Sequence, residues 1–211
     1  MKRYFITGTD TDCGKTYVTR QLIDYYANAV AIKPLASGCN KINNQLVNAD
    51  AQQLIKNNLT LDKINPWRFE MPISPHIAAE KAGKSIELTE LVNYCTQFAV
   101  PDMDTLFIEG AGGLMVPLNT HHTWVDFLII SSIPVVLVVG MKLGCINHAL
   151  LTESVLCSNG IECVGWIANC IDRQMLVLEE NIKTLTQLLK APLLAVIPYQ
   201  GKIEEKSFKK L

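Results

Sequence analysis

The sequence predicts a doubly wound α/β fold, in which a mainly parallel sheet carries helices on both faces. Segments with the apolar pattern of strands alternate with segments of helical periodicity along the chain. The strand segments are apolar throughout rather than at every second residue, as burial on both faces of a parallel sheet requires. A glycine-containing loop also joins the first strand to the first helix, as in phosphate-binding βα units. Together these features predict one domain over residues 1–211.

The predicted elements follow one another with mostly short connections. The strands are 4–7, 30–33, 105–109, 134–139, 163–168 and 193–197, and the helices are 15–28, 48–58, 85–98, 123–130, 147–158 and 174–190. The segment PVVLVV at 134–139 is the clearest strand, because it is β-branched and apolar and is followed by glycine. Ligands of such sheets bind beyond the carboxyl ends of the strands, so the residues after each strand are the candidates for function.

The composition limits the partners that the protein can have. Of 211 residues 49% are apolar, and the formal net charge of −1 provides no field for nucleic acid or anionic membranes. The longest apolar run, 127–140, is too short to span a bilayer. Seven cysteines without a C-x-x-C pair, and an N-terminus without signal-peptide features, predict reduced thiols and a cytoplasmic location.

The most specific local pattern is GTDTDCGKT at residues 8–16, which follows a strand and opens a helix. This is the context of a P-loop, whose backbone N–H groups and helix N-terminus surround phosphate oxygens. Lys15 would reach the β- and γ-phosphates, Thr16 would coordinate Mg²⁺, and Gly14 would allow close approach. We therefore expect ATP and Mg²⁺ as cofactors. The alternative, a chance match in a βα turn, is disfavoured by the flanking strand and helix.

This loop departs from the usual pattern in two ways. Five residues instead of four separate Gly8 from Gly14, with Thr9 where a glycine is expected. The loop also carries Asp10 and Asp12 beside a site for anions. Those carboxylates would repel phosphate unless they pair with a metal, an amine or the substrate.

Three charged residues near strand ends or helix starts are further candidates. Lys33 ends the second strand and could stabilise a transferring phosphoryl group, although a surface lysine is an equal alternative. Asp50 could ligate Mg²⁺ or could simply cap a helix. Glu109 ends an apolar strand before a glycine-rich turn, which is where P-loop enzymes place a second metal carboxylate.

Motifs spread over almost the whole chain resemble those of the dethiobiotin synthetases. They are GTDTDCGKT at 8–16, KPLASG at 33–38, NADA at 48–51, SPH at 74–76, EGAGGLMVPL at 109–118, VVGMKLGCINHALLT at 138–152, GWIAN at 165–169 and APLLAVIPY at 191–199. They occur in the family's order, and GMKLGCINH and EGAGG are far more specific than the P-loop alone.

The resemblance implies an ATP- and Mg-dependent ligase of biotin biosynthesis. Such enzymes convert 7,8-diaminopelargonic acid and CO2 to dethiobiotin through a carbamate and a carbamic-phosphoric mixed anhydride. The implied catalytic residues are Lys33 and Lys15, and the implied metal set is Thr16, Asp50 and Glu109. The resemblance further implies a homodimer, in which residues 142–147 face the neighbour's site.

The remaining site residues are carried over from the same resemblance. The nucleotide would contact Asp12, Cys13, Gly14, Lys15, Thr16, Tyr17, Glu109, Gly110, Ala111, Gly112, Asn169, Cys170, Pro198, Tyr199 and Gln200. The substrate would contact Thr11, Ser37 and Asn147. Three departures from the family are visible: Asp12 where glutamate is common, Cys170 where an acid is common, and a short segment after Gln200. The basic tail 202–211 is expected to be loosely held.

Three other functions fit a P-loop less well here. A partition ATPase would carry a second lysine early in the loop, and residues 9–13 contain none. An amidotransferase-type synthetase would need a glutaminase domain, for which the length leaves no room. A kinase acting on a hydroxyl is distinguished by ATP turnover without bicarbonate.

Overall fold

The computed structural model describes residues 1–204 and 211. In these residues the strands are β1 (Lys2–Gly8), β2 (Ala29–Ile32), β3 (Leu35–Ala36), β4 (Asn40–Ile42), β5 (Gln45–Val47), β6 (Trp67–Arg68), β7 (Thr105–Glu109), β8 (Val135–Gly140), β9 (Cys163–Asn169) and β10 (Leu193–Ile197). Six of them form one parallel sheet in the order β10-β9-β8-β1-β7-β2. The predicted strands are confirmed, with ends shifted by no more than two residues.

The first strand occupies the middle of this sheet. Ile6 of β1 is in register with Glu109 of β7 on one side, and Gly8 is in register with Val138 of β8 on the other. The loops that follow β1, β7 and β8 therefore meet at one edge of the sheet, where a doubly wound fold binds its ligands.

Helices connect and cover the strands. In the described residues they are α1 (Lys15–Tyr25), α2 (Ala49–Gln53), α3 (Leu61–Ile64), α4 (Pro75–Lys81), α5 (Leu88–Gln97), α6 (Trp124–Ser131), α7 (Cys145–Ser158) and α8 (Leu178–Leu188). Alternate residues of β8 enter two different apolar clusters: Val136 and Val138 join the larger, and Leu137 and Val139 join the smaller with α7 and α8. Because successive strand residues point to opposite faces, the sheet is covered on both faces, as predicted.

Four helix predictions were too long: those over 15–28 and 85–98 by three and four residues, and two others by more. The helix expected over 48–58 ends at Gln53, and Asn57 and Asn58 then adopt left-handed backbone angles (φ 53° and 58°) that a right-handed helix cannot contain. The helix expected over 174–190 begins only at Leu178, after Val177 in a left-handed conformation (φ 50°). Local turns, rather than loss of apolar periodicity, set both boundaries.

The chain between β2 and β7 contains elements that the sequence analysis missed. Strands β4 and β5 form an antiparallel hairpin whose turn holds Asn43 and Asn44 at φ 48° and 62°, the left-handed pair that tight hairpins favour. Strands β3 and β6 form a short parallel pair, and α3 and α4 are helices of only four and seven residues. Such short elements leave too few residues for a periodic pattern.

The end of the chain is partly bound. Ile203 and Leu211 pack against the main apolar cluster, so the expectation of a loosely held tail was wrong for them. Residues 205–210, on which the rest of that expectation falls, lie outside the described residues. None of the helices in the described part of the chain has the length and apolar character needed to cross a membrane.

Candidate active site

A cavity of about 400 Å³ opens at the sheet edge where β1, β2 and β7 end. It is lined by Thr11, Asp12, Gly14, Lys15, Thr16, Tyr17, Lys33, Ala36, Ser37, Asn48, Asp50, Gln53, Glu109, Ala111 and Gly112. Most of these residues were predicted as site residues. Thr11, Ser37, Ala111 and Gly112 also line a second, adjoining cavity beside residues 72–75. The two cavities therefore adjoin along these four residues.

The phosphate loop is held in shape by its own lysine. The Lys15 ammonium donates to the carbonyl oxygens of Asp10 (2.8 Å) and Thr11 (3.1 Å). Gly14 has φ 86°, and a Cβ there would lie 2.1 Å from Nδ2 of Asn169, so only glycine fits. That same Nδ2 donates to the Cys13 carbonyl at 2.9 Å. Hydrogen bonds therefore hold the loop at Asp10 and Thr11 and again at Cys13, just before helix α1 starts.

A buried charge cluster occupies the floor of the cavity. The Lys33 ammonium lies 2.6 Å from Oδ2 of Asp50 and 2.7 Å from Oε1 of Glu109. Thr16 donates its hydroxyl to the same Oε1 at 2.6 Å. Burial by itself would lower the pKa of Lys33, but attraction to Glu109 and then Asp50 outweighs it and raises that pKa. Lys33 is therefore a permanently charged, directed cation rather than a surface lysine.

The cluster fits a magnesium ion. Oε2 of Glu109 is buried, and no residue in the described ranges hydrogen-bonds it. The Thr16 hydroxyl contacts the Glu109 carboxylate, and the half-exposed Asp50 carboxylate contacts Lys33. Among residues 1–204 and 211, no group of three or more His, Cys, Asp or Glu side chains forms a metal cage. Mg²⁺ commonly binds through one or two protein carboxylates, phosphate oxygens and water, which matches this donor set.

Asp10, the first acidic residue of the phosphate loop, forms an ion pair with a lysine. Oδ2 of Asp10 lies 2.7 Å from the ammonium of Lys142, just after β8. The hydrogen bond from Lys142, followed by that from the Thr11 backbone, lowers the pKa of Asp10, and the same contact raises the pKa of Lys142. The expectation that a partner must neutralise this carboxylate is confirmed for Asp10. Asp12 is exposed.

Two asparagines that the sequence analysis did not assign to the site orient its charged residues. Asn65 is fully buried and donates to the Lys33 carbonyl at 2.6 Å, while the Lys33 N–H donates to the Ile64 carbonyl. Asn48 caps α2 by accepting from the Ala51 N–H at 3.0 Å. The cap position therefore belongs to Asn48, and Asp50 is free to pair with Lys33. Asn48 carried a capping signal, whereas a lone Asn65 in a loop carried none.

The other predicted residues lie outside this cavity. Ile197 is in register with Asn169, so Pro198, Tyr199 and Gln200 follow β10 at the same sheet edge, where all three are exposed. Asn169 and Cys170 are buried behind the phosphate loop. Gly110 packs on the Phe5 ring, to which a Cβ would come within 2.7 Å. Asn147 is exposed on α7.

Solved structures of other P-loop proteins share this fold. The septum site-determining protein MinD of Pyrococcus horikoshii, complexed with Mg-ADP, superposes with a TM-score of 0.55 at 17% identity, over 93% of this chain and 81% of that chain. The MinC:MinD complex of Aquifex aeolicus also gives 0.55, at 16% identity, over 95% and 82% of the two chains. At such identities the likeness concerns the fold alone.

Sequence relatives are much closer. A family described as an AAA domain matches residues 2–207. The ATP-dependent dethiobiotin synthetase BioD of Legionella pneumophila (strain Paris) is 60% identical over 208 residues, 97% of both chains. The enzyme of the same name from Pseudoalteromonas translucida is 45% identical, over 94% of this chain and 91% of the relative. The alignment covers nearly the full length of both proteins, and the chain belongs to the family of ATP-dependent dethiobiotin synthetases.

Proposed function

We propose that the protein uses Mg-ATP to carboxylate and cyclise 7,8-diaminopelargonic acid with CO2, giving dethiobiotin, ADP and phosphate in biotin biosynthesis. The observation that supports its chemistry best is the buried Lys33 cation, held between Glu109 and Asp50 at the floor of a cavity that begins at the phosphate loop. This arrangement suits phosphoryl transfer, which needs positioning and charge stabilisation more than a covalent nucleophile.

Lys15 and the loop around it bind the phosphates. The ammonium is already oriented by two loop carbonyls, with Sγ of Cys13 a weaker contact at 3.9 Å, so little side-chain entropy remains to be lost when phosphate binds. The start of α1 adds the partial positive charge of its N-terminus. The end of the loop and the first turn of α1 contain Cys13, Gly14, Thr16 and Tyr17. Asp12 lies at the exposed rim of the loop.

Thr16, Asp50 and Glu109 would hold the magnesium ion. When bound, this ion neutralises phosphate charge and orients the β- and γ-phosphates. Glu109 has one oxygen engaged by Thr16 and Lys33 and the other without a protein partner in the described ranges, so it can bind a cation while keeping its position. Asp50 contributes from the first turn of α2.

The reaction needs three bond-forming steps in one enclosed site. One substrate amine attacks CO2 and loses a proton, giving a carbamate. A carbamate oxygen then attacks the γ-phosphorus, and ADP leaves. The second amine attacks the carbamoyl carbon, phosphate leaves and a proton is released, which closes the ring. Because the mixed anhydride hydrolyses readily, the cleft must hold the second amine close and exclude water.

Lys33 acts in these steps as a fixed cation. Its raised pKa keeps it protonated, so it stabilises the negative charge on the carbamate and on the transferring phosphoryl group rather than acting as a base. Thr11 and Ser37 line both adjoining cavities and are proposed to contact the diamine. Ala111 and Gly112 line both cavities as well.

We also propose a homodimer. Leu143 is 97% exposed, and Met115 and Leu151 are more than half exposed, so an apolar surface borders the segment 142–147. In the dimer Asn147 would bind the distal carboxylate of the substrate in the neighbour's site. A cytoplasmic location is proposed from the seven cysteines, all free in the structure.

The test is phosphate release from Mg-ATP with 7,8-diaminopelargonic acid, with and without bicarbonate, and with the product mass measured. Release that requires both, with a product heavier than the diamine by one carbonyl less two hydrogens, is the expected result. ATP hydrolysis that is indifferent to diamine and bicarbonate would overturn the proposal.

A further inference from the structure

The outer face of α1 binds the chain segment that follows β10. The side-chain amide of Gln21 donates to the Gly201 carbonyl at 2.8 Å, and its carbonyl oxygen accepts from the Ile203 N–H at 2.6 Å. Tyr17, four residues earlier on the same helix face, donates its hydroxyl to the same Gly201 carbonyl. The half-buried side chain of Gln21 therefore hydrogen-bonds both an acceptor and a donor of this segment.

The segment held in this way includes the residues proposed to contact the nucleotide base. The Cys170 N–H donates to the Ile197 carbonyl at 2.9 Å, which fixes the start of residues 198–200 beside the end of β9. A hydrogen bond from the Gly201 N–H to the Pro198 carbonyl (2.8 Å) closes the turn, with Gln200 at φ 54°. These contacts set the shape of the turn, whereas Gln21 sets its place relative to α1.

Helix α1 thus touches both ends of the proposed nucleotide site. Its first residues, Lys15 and Thr16, belong to the phosphate loop and the metal cluster. Tyr17 lines the main cavity and also binds Gly201. One turn further on, Gln21 binds the same glycine. Since an α-helix is rigid over two turns, the distance between phosphates and base is set by this helix.

We propose that Gln21 is a positioning residue for base recognition, which acts by holding the turn 198–201 at a fixed distance from the phosphate loop. It touches no part of the nucleotide itself. The inference rests on the proposed function and on what the family resemblance implies, namely that Pro198, Tyr199 and Gln200 contact the nucleotide at its base. Loss of Gln21 then weakens ligands that carry a base and leaves ligands that carry only phosphates unchanged.

The experiment compares Gln21→Leu with the wild-type full chain by calorimetric titration of Mg-ADP and of Mg-pyrophosphate. We expect the Kd for Mg-ADP to rise about tenfold, since two hydrogen bonds that order the turn are lost, and the Kd for Mg-pyrophosphate to change less than about twofold. Gln187→Leu, at an exposed glutamine in the last turn of α8, is the control and leaves both constants unchanged.

Two results would overturn the inference. An unchanged Kd for Mg-ADP in Gln21→Leu would show that the turn needs no anchor. An equal loss for Mg-ADP and Mg-pyrophosphate would show that Gln21 merely supports the phosphate loop. If the leucine variant does not fold, Gln21→Glu gives the same comparison, because it keeps the acceptor for Ile203 but places a carboxylate against the Gly201 carbonyl. Failure of the proposed function is a separate result: phosphate release by the wild-type protein would be indifferent to diamine and bicarbonate, whatever its Kd for Mg-ADP.

Discussion

Two ion-pair systems join strand ends at this site, and they differ mainly in burial. The Lys33 side chain is 8% exposed and that of Glu109 is inaccessible, whereas the side chains of Asp10 and Lys142 are 43% and 34% exposed. The buried system connects the chain after β2 to the end of β7. The exposed one connects the phosphate loop after β1 to the turn after β8. Both therefore fix the spacing of neighbouring loops.

The difference in burial assigns them different tasks. A buried charge without its partner is strongly destabilising, while an exposed pair is screened by water and salt and contributes about 0–1 kcal/mol. Lys33 keeps its charge at a buried position where water screens it little. Charge stabilisation in catalysis requires such a position. The Asp10–Lys142 pair instead removes a repulsion from the mouth of an anion site. Burial separates Lys33, the proposed catalytic cation, from Lys142, which neutralises Asp10.

The largest expected effect is that of Lys33→Ala. We expect turnover in the phosphate-release assay to fall about 10³-fold, because the fixed cation is lost, with the Kd for Mg-ADP changed less than about threefold. Denaturant unfolding should show a loss of about 3 kcal/mol, since Glu109 remains buried without its cation. Lys84→Ala, at an exposed position, is the control. Lost nucleotide binding with no further defect in turnover would contradict the catalytic role.

Glu109→Gln should have the next largest effect. The amide keeps the size of the side chain but removes the charge that holds both Lys33 and the cation. We expect the magnesium concentration for half-maximal phosphate release to rise about tenfold. The exposed Glu90→Gln serves as control, and an unchanged magnesium titration in Glu109→Gln would exclude this carboxylate from the metal site.

A smaller effect is expected for Lys142→Met, which leaves Asp10 without its amine. The Kd for Mg-ATP should rise about threefold at low salt, and the difference should shrink as salt is added. Adding Asp10→Asn should restore most of the affinity, because the harm comes from the unneutralised carboxylate. A double variant weaker than Lys142→Met would contradict this explanation. Sedimentation of each variant checks that the oligomeric state is the same.

The smallest effect concerns pH. The pKa of Asp10 is lowered, so its stabilising contribution is present above its unfolded pKa and is lost as pH falls through the lower folded value. The pKa of Lys142 is raised, so its contribution is present below its unfolded pKa and is lost as pH rises through the higher folded value. The difference in free energy of unfolding between wild type and Lys142→Met should therefore be constant from about pH 5 to about pH 9, and should decline progressively as pH falls below about 4. A slope within the middle range would implicate another titrating group.

The long elements and the phosphate loop could be predicted from the sequence, because each has a local signal. PVVLVV is apolar on both faces, and GTDTDCGKT stands between a strand and a helix. The approach of Lys33 to Glu109 followed from the rule that ligands bind beyond strand ends, whereas Asp50 was assigned to the same site only by the family resemblance. For Lys33 and Glu109, a place at the end of a predicted strand already implied a place at this edge of the sheet.

The supporting contacts could not be predicted because their partners are distant in sequence. Asn65 reaches Lys33 across 32 positions, and Lys142 reaches Asp10 across 132. Gln21 reaches Gly201 across 180 positions from an ordinary helical surface. The short elements between β2 and β7 were missed for a different reason: each has too few residues for a periodic pattern, and the turn between β4 and β5 is formed by Asn43 and Asn44 in left-handed conformations.

The central place of β1 has a consequence for biosynthesis. Phe5 pairs with Ile108 and Val135, residues made 103 and 130 positions later. The strand that precedes the phosphate loop is thus the first of the six strands to be made, and both of its neighbours are made much later. Until residue 109 has emerged this apolar strand has neither neighbour, and until residue 140 it lacks one, which is the kind of long-range pairing that slows folding and exposes nascent chains to aggregation. Nucleotide can stabilise the fold only after the strands that carry its site have paired, because it binds the folded sheet.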